Sequence, residues 1–104
     1  MKKYKVKIEP EALADIQEIT DWYNEQQGRL GSRFQKATIQ HINALSKNPQ
    51  IFAIRYGKIR CVVIKKFPYM LHYYINNKNN TVEILAVIST DRNPKIWKNK
   101  TKKH

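Results

Sequence analysis

The chain has a single cysteine, Cys61, among 104 residues. One cysteine excludes an internal disulfide and any multi-cysteine zinc site, and it fits a reducing compartment. Long apolar runs are also missing. The longest are Ile84–Ile88 and Cys61–Ile64, far below the roughly 20 residues that a membrane helix needs. The opening MKKYKVKIEP is charged and carries no signal-peptide core. With only three glycines, no glycine-rich phosphate loop can be drawn, and neither GxSxG nor HExxH occurs. The histidines, His41, His72 and His104, are not spaced as metal ligands. These absences predict a cytoplasmic protein with no metal, no cofactor, no membrane association and no small-molecule substrate. The length suits one domain over residues 1–104.

Acid is scarce as well. Eight acidic residues face 20 Lys and Arg, a formal net charge of +12. Six of the eight acids, Glu9, Glu11, Asp15, Glu18, Asp21 and Glu25, fall in one short segment. Ten Lys or Arg and no acid lie between Gln26 and Val82, and six more bases follow from Arg92. A field this lopsided attracts polyanions: nucleic acid, ribosome or an acidic protein. The alternative is a basic protein whose charge serves solubility alone.

Residues 3–8 alternate with the period of a half-buried strand. Pro10 is preorganised for a first helical turn and Glu9 and Glu11 suit its positive end. Leu13, Ile16, Ile19 or Thr20, and Tyr23 then recur at helical spacing, predicting a helix over about 10–27. Gly28 and Gly31 allow a tight break. Leu30, Phe34, Ala37, His41 or Ile42, and Leu45 predict a second helix, antiparallel to the first, that stops at Asn48-Pro49. Beyond it the period changes. Strands are predicted at Ile59–Ile64, Tyr69–Ile75 and Thr81–Ser89, with a hairpin loop at 76–80. The plan is α+β, in the order β-α-α-β-β-β, with a helical hairpin packed on one face of a mainly antiparallel four-stranded sheet. Residues 92–104 are a short helix or a loose tail, basic from about 98 to 104.

Chemistry-bearing residues are few. His41 lies by the apolar stripe of the second helix and reads as a half-buried structural histidine. Asp15 and Glu18 read as the solvated face of the first helix, suited to salt bridges. Cys61 sits among aliphatics as a small hydrophobe. In KKFPYMLHYYI (65–75) the odd positions Tyr69, Leu71, Tyr73 and Ile75 make the better core face, leaving Met70, His72 and Tyr74 on the open side of the sheet. If Arg60, Lys65, Lys66 and Arg92 converge there, the open face is a cationic cleft with His72 and Tyr74 on its floor. Cations there would stabilise a phosphorane-like transition state and a base would activate a 2′-hydroxyl. Otherwise the aromatics are ordinary strand formers.

PEALADIQEITDWY, GSRFQKATIQHINALSKNP, GKIRCVVIKKFPYMLHYYI and ILAVISTDRNPKIW follow one another in an order that resembles the ParE/RelE superfamily of bacterial type II toxins. The resemblance runs from about Val6 to Trp97. Its most specific words are FPY and the closing R-x-P-x-x-W of Arg92, Pro94 and Trp97, which are similar to the ParE-like, plasmid-stabilisation branch. It implies a toxin encoded beside a small, acidic antitoxin, and the strong positive charge suits such a partner.

The resemblance also implies one of two activities: RelE-like cutting of mRNA in the ribosome, or ParE-like poisoning of DNA gyrase. Ribonuclease members carry an arginine just after the tyrosine that opens the third strand, and cations along the second. Met70 stands at the first position, and Cys61 and Val63 at the second. A thioether cannot replace a permanent guanidinium against phosphate. Where such members show a tyrosine or histidine near the end, Trp97 stands, and its indole is no general base. Many ParE-like relatives carry a histidine after the last strand, where this chain reads Ser89-Thr90. The expected activity is therefore binding and inhibition of gyrase through Arg60, Lys65, Lys66, Arg92 and Trp97. The alternatives are a ribosome-dependent endonuclease using His72, Tyr74, Lys65 and Arg92, and an inactive or nucleic-acid-binding member of the fold.

Overall fold

The computed structural model describes residues 3–101, so the last residues of the basic tail, 102–104, lie outside the description. Strand β1 (Lys5–Ile8) leads into α1 (Pro10–Gln26) and α2 (Leu30–Lys47). A one-turn 3-10 helix at Pro49–Ile51 follows, then β2 (Ile54–Tyr56), β3 (Ile59–Val63), β4 (Tyr69–Asn76), β5 (Thr81–Ser89) and α3 (Pro94–Lys100). Pro10 occupies the first turn of α1 as its fixed φ favours. Helix α2 stops at Asn48, where Pro49 cannot continue it. The closing helix forms because Asn93 caps it, its side chain accepting from the Lys95 amide at 2.9 Å, with Pro94 in the first turn.

The sheet has five strands in the order β1-β5-β4-β3-β2, one more than expected. The added member is the short edge strand β2, paired with β3 across the turn at Gly57. β1 runs parallel to β5 and the other pairings are antiparallel. The break between the helices differs from expectation too. Arg29, not a glycine, takes the left-handed conformation (φ 71°). Gly31 already belongs to α2 and marks the helix crossing: a Cβ there would lie 2.3 Å from the Thr20 carbonyl oxygen. The absent side chain lets α1 and α2 touch, and Asn24 Oδ1 accepts from the Gly31 amide at 2.8 Å.

Two cores result, one on each face of the sheet. Under the helical hairpin lie Ala12, Ile19, Tyr23, Phe34, Ile42 and Leu45, packed on Val62, Leu71, Tyr73 and Ile75. On the opposite face Cys61, Met70, Ala86 and Ile88 are covered by Trp97 of α3. A bulge makes this possible. The β4–β5 register shifts between His72 and Tyr73, leaving Leu85 without a cross-strand partner. Val82 and Ile84 before it, and Val87 after it, therefore all face the helices, while Ala86 and Ile88 turn to the second face. Without that extra residue, strict alternation would place Val87 beneath α3.

Asp15 and Leu13 exchange their expected environments. Leu13 is 54% exposed, whereas Asp15 is buried. β1 ends at Ile8 opposite Ile84, so the outer edge of β5 loses its partner strand there. Asp15 takes over, accepting from the Val87 amide at 2.9 Å. Its other oxygen accepts from Lys100 Nζ at 2.6 Å, which ties α3 to α1. Lys100 also lies 3.2 Å from Glu11. Burial pushes the Asp15 carboxyl above its usual range even with these partners. Burial would lower the Lys100 ammonium, but its two carboxylates outweigh that and raise it. Glu18 alone of the expected pair is solvated.

Candidate functional site

The face beneath α3 is the surface on which sequence places His72 and, at its end, Trp97. Met70 and His72 alternate off β4, Cys61 faces His72 from β3, and Ala86 faces it from β5. α3 then lays Trp97 across them: the His72 and Trp97 rings meet edge-on, centroids 5.2 Å apart. Arg55 closes the rim with its guanidinium carbon 5.3 Å from the Trp97 ring centre, a cation–π distance. His72 is 0% exposed and Trp97 8%. The expected open floor is thus covered, and His72 is a core residue.

Proton counting fixes the hydrogen bonds beneath α3. Thr101 Oγ1 donates to the Trp97 carbonyl at 2.8 Å. A hydroxyl has one proton, so Tyr56 donates to Thr101 at 3.0 Å, and its oxygen accepts from His72 Nδ1–H at 2.9 Å. Cys61 Sγ lies 3.3 Å from the same nitrogen. Nε2 is left as a bare acceptor, and neither it nor Trp97 Nε1 has a hydrogen-bond partner among the described residues.

Burial, with Arg55 and Lys100 nearby, lowers the His72 imidazole to about 4. Burial likewise pushes the Tyr56 phenol up to about 12 and the Cys61 thiol up to about 11. At neutral pH all three are uncharged, and His72 and Cys61 are buried besides, so neither of those two is placed to take a proton from a substrate. A prediction follows from the imidazole. The unfolded chain binds a proton near pH 6.5 while the fold resists it until about 4. Stability should be complete above 6.5 and fall across that window by about 3 kcal/mol. Urea midpoints taken between pH about 7 and about 4 check this. His72→Phe should flatten the decline, and an unaltered slope in that variant would contradict the assignment.

The remaining candidates do not meet at one point. Arg60 lies on the helix side, where its guanidinium donates to the Phe52 carbonyl at 2.6 Å and the Gln50 carbonyl at 3.5 Å, holding the 3-10 segment. Tyr74 is half-buried and lines a depression of 570 Å³ with Arg60, Lys58 and Lys78. Arg92 is exposed at a separate cleft of 330 Å³ between α1 and α3, beside Asp15 and Glu18. Lys65 and Lys66 are exposed in the β3–β4 turn, against α2. Sequence reasoning overlooked Arg33 and Lys36, which line that same groove from α2. It also overlooked Arg55 and Lys100, which hold α3 down. Among the described residues no group of His, Cys, Asp or Glu could hold a metal ion, and no helix is long and apolar enough to cross a membrane.

Comparison with known proteins adds the family. Residues 6–94 match the sequence profile described as "ParE toxin of type II toxin-antitoxin system, parDE". No curated protein matches by sequence. Among solved structures, a chain of the chromosomal ParDE system from P. aeruginosa is similar at a TM-score of 0.76 and 16% identity, covering 88% of this chain and 100% of that one. A mutant of the E. coli toxin RelE in the free state is similar at 0.73 and 15% identity, covering 97% and 96%. A chain of the intact E. coli RelBE toxin–antitoxin complex is similar at 0.66 and 16% identity, covering 86% and 99%. At such identities the likeness is one of fold.

Proposed function

The chain belongs to the ParE toxin family of type II toxin–antitoxin systems, and from that premise we propose that it arrests its target, DNA gyrase, by binding and not by cutting RNA. One observation carries the choice: the sheet face beneath α3 is filled by Cys61, Met70, Ala86, Ile88 and Trp97, with no ionisable group charged at neutral pH among them. Phosphodiester cleavage needs cations aimed at the phosphate and a base within reach of the 2′-hydroxyl. Here Met70 and Cys61 are buried, Val63 is an exposed aliphatic, and the imidazole of His72 is sealed.

A gyrase target makes this a cytoplasmic protein. Its neutralising partner is a cognate antitoxin, small, acidic and encoded adjacently. The toxin–antitoxin complexes among its structural neighbours support that partner. Lys65, Lys66 and Arg92 present the exposed cations for target or antitoxin. Arg60 and Trp97 are engaged internally and act by holding the surface in shape.

A supercoiling assay tests the proposal. Purified protein, titrated into gyrase and relaxed plasmid, should halt supercoiling and accumulate gyrase–DNA cleavage complexes. Undiminished supercoiling at saturating protein would contradict it.

A further inference from the structure

The depression of 570 Å³ beside Tyr74 is lined by cations and by no acid. It lies where the 3-10 segment, the β2–β3 turn and the β4–β5 turn meet. Lys58 reaches it from the first turn, Arg60 from β3 and Lys78 from the second turn. None of these three makes an ion pair among the described residues. The acid on the next strand, Glu83, accepts from Asn76 Nδ2 at 3.2 Å and does not line the depression. Like charges gathered in one place repel one another, and an anionic occupant would relieve that.

Arg60 is set in place before any ligand arrives. Its Nη1 donates to the Phe52 carbonyl at 2.6 Å and to the Gln50 carbonyl at 3.5 Å. Both bonds use one nitrogen, so Nη2 and Nε remain as donors without a partner among the described residues. The backbone that carries Lys78 is fixed as well, its amide donating to Asn76 Oδ1 at 3.1 Å. A planar fork held between two exposed ammonium groups suits a phosphate, which accepts from both kinds of donor. The other depressions lack this arrangement. The cleft between α1 and α3 includes Asp15 and Glu18. In the groove by the β3–β4 turn, no side-chain hydrogen bond among the described residues orients any of the four cations.

We propose that this depression binds the phosphodiester backbone of a nucleic acid, a contact separate from any that the toxin makes with a protein. Lys58 and Lys78 supply point charges and Arg60 the oriented fork. Such a lining reads phosphate and not base sequence. No histidine or carboxylate lines the depression, so a bound strand is held and not cut. An acidic peptide fits less well. Its carboxylates would have to be gathered at one place, whereas a duplex already carries one charge per about 1.7 Å and releases condensed counterions when bound.

The probes are a fluorescent DNA duplex of about 20 base pairs and a single-stranded RNA of matching charge. Binding of each to the purified full chain is followed by anisotropy over a series of salt concentrations. Lys58→Ala with Lys78→Ala should weaken binding by about tenfold or more. The slope of log K against log salt should become shallower by about 1.8 on the duplex, or by about 1.4 on the single strand. Arg33→Ala with Lys36→Ala, the same charge change on α2, should weaken binding by less than about threefold and leave the slope within about 0.5. Lys58→Arg with Lys78→Arg keeps both charges and should bind like the unaltered chain. A response on one polymer alone identifies it as the ligand, and a response on both identifies the backbone they share. Equal losses in the two alanine pairs, an unaltered slope in the first, or weakened binding by the arginine pair would overturn the site. So would polyglutamate that displaces the probe as well as unlabelled duplex of equal charge does. No gyrase is present, so the result stands independently of the supercoiling assay.

Discussion

Alanine at position 97 is expected to cost about 4 kcal/mol, the range for emptying a buried tryptophan site, and on the order of 20 °C in melting temperature for a domain this size. Trp97 is the one buried side chain among the seven residues of α3, and it covers Cys61, Met70, Ala86 and Ile88 together. Removing the indole also removes the seat of the Arg55 guanidinium, the tilted ring contact with Tyr56 and the edge contact with His72. A helix of seven residues has no independent stability, so α3 should detach and expose an apolar sheet face. Urea unfolding measures the loss, and dye binding to exposed apolar surface reports the detachment. The loss is capped by the free energy with which α3 docks, because sheet and hairpin can persist without it. A change under about 1 kcal/mol, with no gain in dye binding, would mean that α3 does not close this face.

Asp15→Ala is expected to cost about 3 kcal/mol by a different route. It leaves the buried Val87 amide without an acceptor and Lys100 with Glu11 as its remaining carboxylate. Asp15→Asn should cost about 1 kcal/mol, since an amide oxygen still accepts from Val87. The pH dependence separates the two groups beneath and beside α3. Because burial raises the Asp15 carboxyl above 3.8, the fold takes up its proton before the unfolded chain does. Asp15 therefore adds stability as pH falls through its folded value, whereas protonation of the unfolded chain's His72 removes it from about 6.5 downward. Acid titration of Asp15→Asn should keep the His72 decline and lose the later gain. Equal costs for the alanine and asparagine variants would show that charge, and not the missing strand partner, is what Asp15 supplies.

Much of the fold was legible because its periods are strong. α2 buries Phe34, Ile42 and Leu45, three of the positions from which it was predicted, and β3, β4 and β5 lie where β-branched and aromatic runs placed them. What escaped had physical reasons. β2 is three residues long, too short for alternation to register. The run Ile84–Ile88 is apolar throughout, so nothing in it reveals the residue at which the bulge reverses the faces. Asp15 was legible in principle: it stands three residues after Ala12 and four before Ile19, squarely on the buried stripe of α1. Its charge outweighed its spacing, because the unpaired amide that explains it lies 72 residues away on β5. The candidate site was harder still. A basic residue near a strand end carries no sign of which side it will take. Arg60 turned toward the 3-10 segment, and Lys65 and Lys66 toward α2. The covering of His72 depends on a closing segment that the sequence leaves open as a short helix or a loose tail.

The most direct measurement is primer extension on mRNA recovered from a translating extract to which the purified chain has been added. A sheet face sealed by Trp97, with a neutral imidazole beneath it, predicts intact transcripts at every concentration. Cuts that appear only with ribosomes and vanish with His72→Ala would contradict the account at its centre.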